Sequence, residues 1–113
     1  MTSVFSQSIY KDGTDIIYDC SVEDNEVCFT YGISHGKTNA DVVNISEEIS
    51  TLRIDFPVLR SIMEEESINN DFLVIEDNDD YEFFSNKSDE RILIPKKFFN
   101  EAYKILKNIW IDD

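Results

Sequence analysis

Two apolar periods divide the chain. In its first third, β-branched and aromatic residues come in short runs between polar turns: Val4 to Tyr10, Thr14 to Cys20 with Ile16, Ile17 and Tyr18, and Glu26 to Gly32 with Val27, Cys28, Phe29 and Tyr31. Such residues fit a pleated, half-buried surface. Lys11-Asp12-Gly13 and Ser21 to Asn25 supply the turns, so this region predicts an antiparallel meander with its first strand at the edge. From Thr38 the period lengthens. Val42, Ile45, Ile49 and Leu52 recur at helical spacing, and Thr38 with Asp41 resembles a capping box, although the β-branched content also fits a strand. Asp55-Phe56-Pro57 reads as a helix start, with Leu59, Ile62 and Met63 on one face before an acidic and polar exit from Glu64 to Asn70.

The second half repeats the alternation of strands and helix. Phe72-Leu73-Val74-Ile75 is a continuous apolar run, Tyr81-Glu82-Phe83-Phe84 follows an acidic turn, and Arg91-Ile92-Leu93-Ile94 makes a third strand. Pro95 then opens the best helix of the chain. Phe98/Phe99, Ala102/Tyr103, Ile105/Leu106 and Ile109/Trp110 form a broad apolar stripe, and Lys96, Lys97, Glu101, Lys104 and Lys107 occupy the rest of its surface. The expected fold class is α+β: a single domain spanning residues 1–113, with an antiparallel sheet of about five to seven strands and two or three helices packed on one face.

Length and composition agree with a folded unit of this size. The 113 residues are 42% hydrophobic and include eight Phe and five Tyr, which is enough apolar surface for one core and argues against disorder. The segment Met1 to Ser8 lacks the basic and apolar stretches of a secretory signal, and no run approaches the roughly 20 apolar residues of a membrane span. A cytoplasmic protein with no membrane partner is therefore expected. Cys20 and Cys28 flank Ser21 to Asn25, where a hairpin centred on Asp24 would set them opposite each other, either as a disulfide or as two buried thiols. With His35 they fall short of the four ligands of structural zinc. No cofactor is expected.

Charge changes the picture most. Lys and Arg number 10 against 24 Asp and Glu, a formal net charge of −14, which repels nucleic acid and anionic membranes on average. The acids are segregated. Residues 12–36 hold six of them, including Asp19, Glu23, Asp24 and Glu26, with no Lys or Arg. Residues 61–86 hold nine, namely Glu64, Glu65, Glu66, Asp71, Glu76, Asp77, Asp79, Asp80 and Glu82, again with no basic residue. Several alternate with aromatics, as in Asp80-Tyr81-Glu82-Phe83, and in a strand that alternation sets carboxylates in rows about 7 Å apart. This is close to the spacing of successive phosphates along one nucleic-acid strand.

Motifs of catalysis are incomplete. Gly32 to Thr38 ends like a phosphate-binding loop, but Tyr31 stands where the first glycine is needed. Asp77-Asn78-Asp79-Asp80 begins like a calcium loop, but Glu82 replaces its glycine and Ser88 its last carboxylate. His35 is the only histidine, flanked by glycine, and reads as a turn residue; the lysines of the last helix read as a solvated face. The expectation is a non-enzymatic protein that binds and inhibits a basic partner, a nuclease or another enzyme acting on nucleic acid, without touching nucleic acid itself. The partner-binding residues are the acids named above together with Tyr81; Phe83, Phe84, Tyr18 and Tyr31 are further aromatic candidates. The alternative is an adaptor or secretion chaperone that holds a partner peptide in an apolar groove.

Overall fold

The computed structural model describes residues 2–11, 13–34, 47–64 and 71–110. Four strands in chain order form an antiparallel sheet: β1 (Thr2–Lys11), β2 (Thr14–Glu23), β3 (Glu26–Ser34) and β4 (Glu47–Asp55). Gly13 (φ 79°) closes the first hairpin and Asp24 (φ 55°) the second. A left-handed backbone costs glycine nothing, and Asp is among the residues that tolerate it best.

Register then decides which side chains face the core. Cys20 pairs with Phe29 and Val22 with Val27, and these rows continue to Leu52 and Ile54 of β4. All but Val22 are fully or almost fully buried. Ser21 pairs with Cys28, one position out of step with Cys20, so the two cysteines point to opposite faces of the sheet. The hairpin sets neither opposite the other, and no disulfide joins them. Between β3 and β4 the register slips: Tyr31 pairs with Ser50 and Gly32 with Glu48, leaving Ile49 as an extra, exposed residue. This bulge explains the misleading spacing of Ile49 and Leu52. One residue inserted into a period of two gives three, which resembles a helix. Residues 47–55 are a strand, and Val42 and Ile45 lie outside the described residues.

After β4 the chain enters α1 (Phe56–Glu64), and β5 (Phe72–Asp77), β6 (Asp80–Ser85) and β7 (Arg91–Pro95) form a second antiparallel sheet before α2 (Lys96–Ile109). The seven strands of the described residues thus make two sheets, of four and three strands, instead of the one sheet expected, with two helices. The reason lies in the faces. Both sheets are apolar on one side, and β7 lies against β3 and β4 while α2 lies against β1 and β7.

Aromatic side chains seal this arrangement. Phe29 of the first sheet and Phe83 of the second stack at 6.1 Å between ring centroids, and Phe99 of α2 touches both, at 5.7 and 5.1 Å. Phe98 reaches Phe5 of β1 at 5.5 Å, and Trp110 stacks on Phe56 of α1 at 4.4 Å. Residues of both sheets and both helices belong to one hydrophobic core. Pro95 precedes the first turn of α2 with an extended backbone (φ −63°, ψ 140°), and its ring fixes that φ. Among the described residues no helix is long and apolar enough to cross a membrane.

Candidate functional site

Three acids of residues 12–36, Glu23, Asp24 and Glu26, gather at the β2–β3 turn, while Asp15 and Asp19 lie along β2 and Asp12 lies outside the described residues. Register places Glu23 opposite Glu26 and Glu26 opposite Asp55, so three carboxylates form one row across three strands, with Asp24 at the tip. Directly opposed positions lie about 5 Å apart, and like charges there repel. No Lys or Arg among the described residues forms an ion pair with any of the four. The turn is nonetheless fixed, because the Phe56 amide donates to the Asn25 carbonyl at 2.8 Å and ties it to the start of α1. A depression of about 370 Å³ lies between Glu23, Asp24, Asn25, Glu26 and Asp55. It adjoins a cleft of about 430 Å³ to which Glu26, Asp55 and Asp71 also contribute, with Arg53, Lys87 and Glu90 on its walls.

In that cleft wall, Glu90 accepts from Arg53 Nη2 at 2.6 Å and Nε at 2.9 Å, while Ser88 donates to its other oxygen at 3.0 Å. Burial pushes the Glu90 carboxyl up, but these donors outweigh it and hold the group below the usual range. Arg53 is therefore tied first to Glu90; from the same cleft wall its charge also reaches Glu26, without forming an ion pair with it.

A second group sits at the β5–β6 turn. Asn78 takes the left-handed conformation (φ 39°), Asp77 and Asp79 are exposed, and Asp80 is half-buried. The Lys96 amide donates to the Asp79 carbonyl at 2.8 Å, which anchors the turn to the first residue of α2. Burial, then the neighbouring Tyr31 and Asp80, push the Tyr18 phenol up to about 12. Asp80 thus acts on Tyr18 of the first sheet, and the turn that carries it stands at one end of the second sheet. Along β6 it lies five residues, about 17 Å, from the Ser85 end that borders the cleft. The two acidic turns are thus separate features.

Several other acids serve the fold. Glu64 accepts from Lys107 Nζ at 2.9 Å and from the Tyr103 hydroxyl at 2.8 Å, and lies 3.3 Å from Arg60; the hydrogen bonds from Lys107 and Tyr103 hold its carboxyl low. Glu76 accepts from Lys96 Nζ at 2.7 Å, and the same ammonium lies over the Tyr81 ring at 5.5 Å. Glu64 and Glu76 thereby pin the last and first turns of α2. Glu82 pairs with Arg91 at 2.7 Å, and Asp19 accepts from the Ser3 hydroxyl at 2.7 Å and from Ser6. Glu65 and Glu66 lie outside the described residues.

The expected spacing of about 7 Å is met along β6, where Asp80 and Glu82 share one face, but not along β2. Asp15, Asp19 and Glu23 recur every fourth residue of β2, about 13 Å apart, with buried Ile17 and Ser21 between them. Tyr81 packs edge-on against Phe83 and Phe99, and Tyr18 stacks on Tyr31 at 5.1 Å, so these aromatics belong to the core side. Phe84 is the aromatic candidate on the outward face.

Two features escape a reading of the sequence by runs. Asp55 completes the acid row, and counting outward from the two-residue turn Asp24-Asn25 would have paired Glu23 with Glu26. The other is the outer face of the second sheet, where Leu73, Ile75 and Leu93 are each about half exposed. Among the described residues no group of three or more His, Cys, Asp or Glu is placed to hold a metal ion. Compared with protein-family models, curated protein sequences and solved structures, the chain matches none.

Proposed function

We propose that this protein binds and inhibits a basic protein, a nuclease or another enzyme acting on nucleic acid, by placing carboxylates in its cationic cleft. The observation that carries this reading is the row Glu23–Glu26–Asp55 with Asp24 at its tip. Four like charges are held on adjoining strand ends with no ion pair among the described residues and only Arg53, itself bound to Glu90, acting on Glu26, an arrangement that costs stability in the free protein. A partner supplying Lys or Arg at that row relieves the repulsion, so part of the binding energy is stored in the fold. The Asp77, Asp79 and Asp80 turn offers a second contact of the same sign. Because the carboxylates cluster at turns, insertion of a turn into a cleft accounts for them better than imitation of a continuous phosphate backbone.

The test is charge reversal with the fold left alone. Glu23→Lys with Asp55→Lys, which spares the left-handed Asp24, and separately Asp77→Lys with Asp79→Lys, touch no ion pair of the described residues. Glu64, Glu76, Glu82 and Glu90 are left untouched because their pairs brace helices and strands. Capture from the native host's lysate at about 50 and about 500 mM salt should yield a basic enzyme whose retention falls with salt and with either reversal. Capture unchanged by both reversals refutes the reading.

The adaptor reading rests on one different observation, the half-exposed Leu73, Ile75 and Leu93 on a single sheet face. It predicts a partner retained at high salt and indifferent to the reversals, with no loss of that partner's activity on binding.

A further inference from the structure

Register gives the outer face of the second sheet row by row. Leu73, Phe84 and Arg91 stand opposite one another across the three strands, then Ile75, Glu82 and Leu93, and at the turn Asp77 and Asp80. Leu73 and Leu93 are 51% exposed and Ile75 44%, so three of the seven large apolar side chains exposed among the described residues share this small sheet. The only charges within the apolar rows, Glu82 and Arg91, are spent on each other at 2.7 Å. At the β5–β6 turn Asp77, Asp79 and Asp80 form no ion pair among the described residues and are all of one sign, whereas the opposite end carries charges of both signs, Asp71, Lys87 and Asp89. The face is thus apolar in its body and anionic at one border.

We infer that this face is the apolar anchor for the basic partner: it takes a segment with apolar side chains at its centre and Lys or Arg where the segment meets the Asp77–Asp80 turn. The inference rests on the reading of the protein as a ligand for a basic protein, and adds where the uncharged part of the contact lies. Charge decides the occupant. A second copy would bring another −14 against the first, whereas a cationic segment finds three carboxylates that form no ion pair among the described residues beside the apolar rows. An apolar body bordered by charge is also the usual anatomy of a specific interface, where a few desolvated side chains hold the complex and the border sets orientation and encounter rate.

The test uses the full chain, labelled at backbone amides and at Leu and Ile methyls, titrated by NMR at about 50 mM salt with two peptides. One is Lys-Leu-Lys-Ile-Lys-Leu-Lys and the other has Ser in place of each apolar residue. The first should move the methyls of Leu73, Ile75 and Leu93 together with the amides of Asp77–Asp80, and bind at least about tenfold more tightly than the second. That margin should vanish in Leu73→Ser/Leu93→Ser, whose substitutions lie on the exposed face. Equal affinities, with shifts confined to the acidic turns, overturn the apolar anchor and leave the electrostatic reading standing. Binding of neither peptide overturns both. Methyl shifts that follow protein concentration without peptide assign the face to a second copy and overturn the inference.

Discussion

Phe99 is the side chain whose removal should most directly uncouple the two sheets. It is 1% exposed on α2, and its ring meets Phe83 at 5.1 Å, Tyr81 at 5.3 Å, Tyr103 at 5.6 Å and Phe29 at 5.7 Å. Truncation to Ala loses the transfer energy of the ring and leaves a cavity between packed aromatics that have little freedom to collapse, a cost of about 3–5 kcal/mol. For a 113-residue chain the whole stability is about 6–17 kcal/mol, so Phe99→Ala should fold but weakly. The midpoint of thermal unfolding should drop by about 12–20 °C. Trp110, the only tryptophan, is stacked on Phe56, and its fluorescence reports the joining of α1 and α2, while circular dichroism reports the strands. In urea the two signals should change together in the parent protein, because one core spans both sheets. Leu93→Ala, on the outer face, should cost less than about 1 kcal/mol. A loss below about 1 kcal/mol for Phe99→Ala, or a Leu93→Ala loss equal to it, refutes the assignment of the core.

Three further outcomes follow from particular side chains. Glu64 and Glu90 have carboxyls held below the usual value near 4.3, so their contribution is fully present above that pH and is lost as pH falls through the lower folded value; the urea midpoint of the parent should approach that of Glu64→Gln/Glu90→Gln as pH is taken from 7 to 3, and a constant difference contradicts the pairing. Asp24 is left-handed, so Asp24→Ala should cost about 1 kcal/mol while Asp24→Gly costs less, read from urea midpoints; equal losses contradict the turn geometry. Cys20 and Cys28 are both buried, and burial pushes the Cys20 thiol well up, so neither should react with a thiol reagent until the protein unfolds, and mild oxidation should leave the mass unchanged; rapid labelling of the native protein would contradict this burial.

Local chemistry made much of this protein legible. The runs around Ile16, Phe29, Phe83 and Ile92 are strands because β-branched and aromatic residues suit the pleat, and Pro57 and Pro95 mark helix starts because their rings are tolerated there. The apolar stripe of α2 was visible from Phe98 to Trp110 because helical spacing is set by the backbone alone. The segregation of acids into two stretches was equally plain. Tertiary structure decided the rest, since pairing depends on residues distant in sequence. A single bulged residue, Ile49, turned an apparent helix into a strand, and an offset of one put Cys20 and Cys28 on opposite faces. Strand pairing alone split the seven strands into sheets of four and three. Charge was settled the same way: Glu64, Glu76, Glu82 and Glu90 found cations as far as 43 residues away in sequence, whereas Glu23, Asp24, Glu26 and Asp55 formed no ion pair among the described residues. A sequence fixes how many charges a chain carries, but which of them remain available to a partner depends on what folding brings beside each.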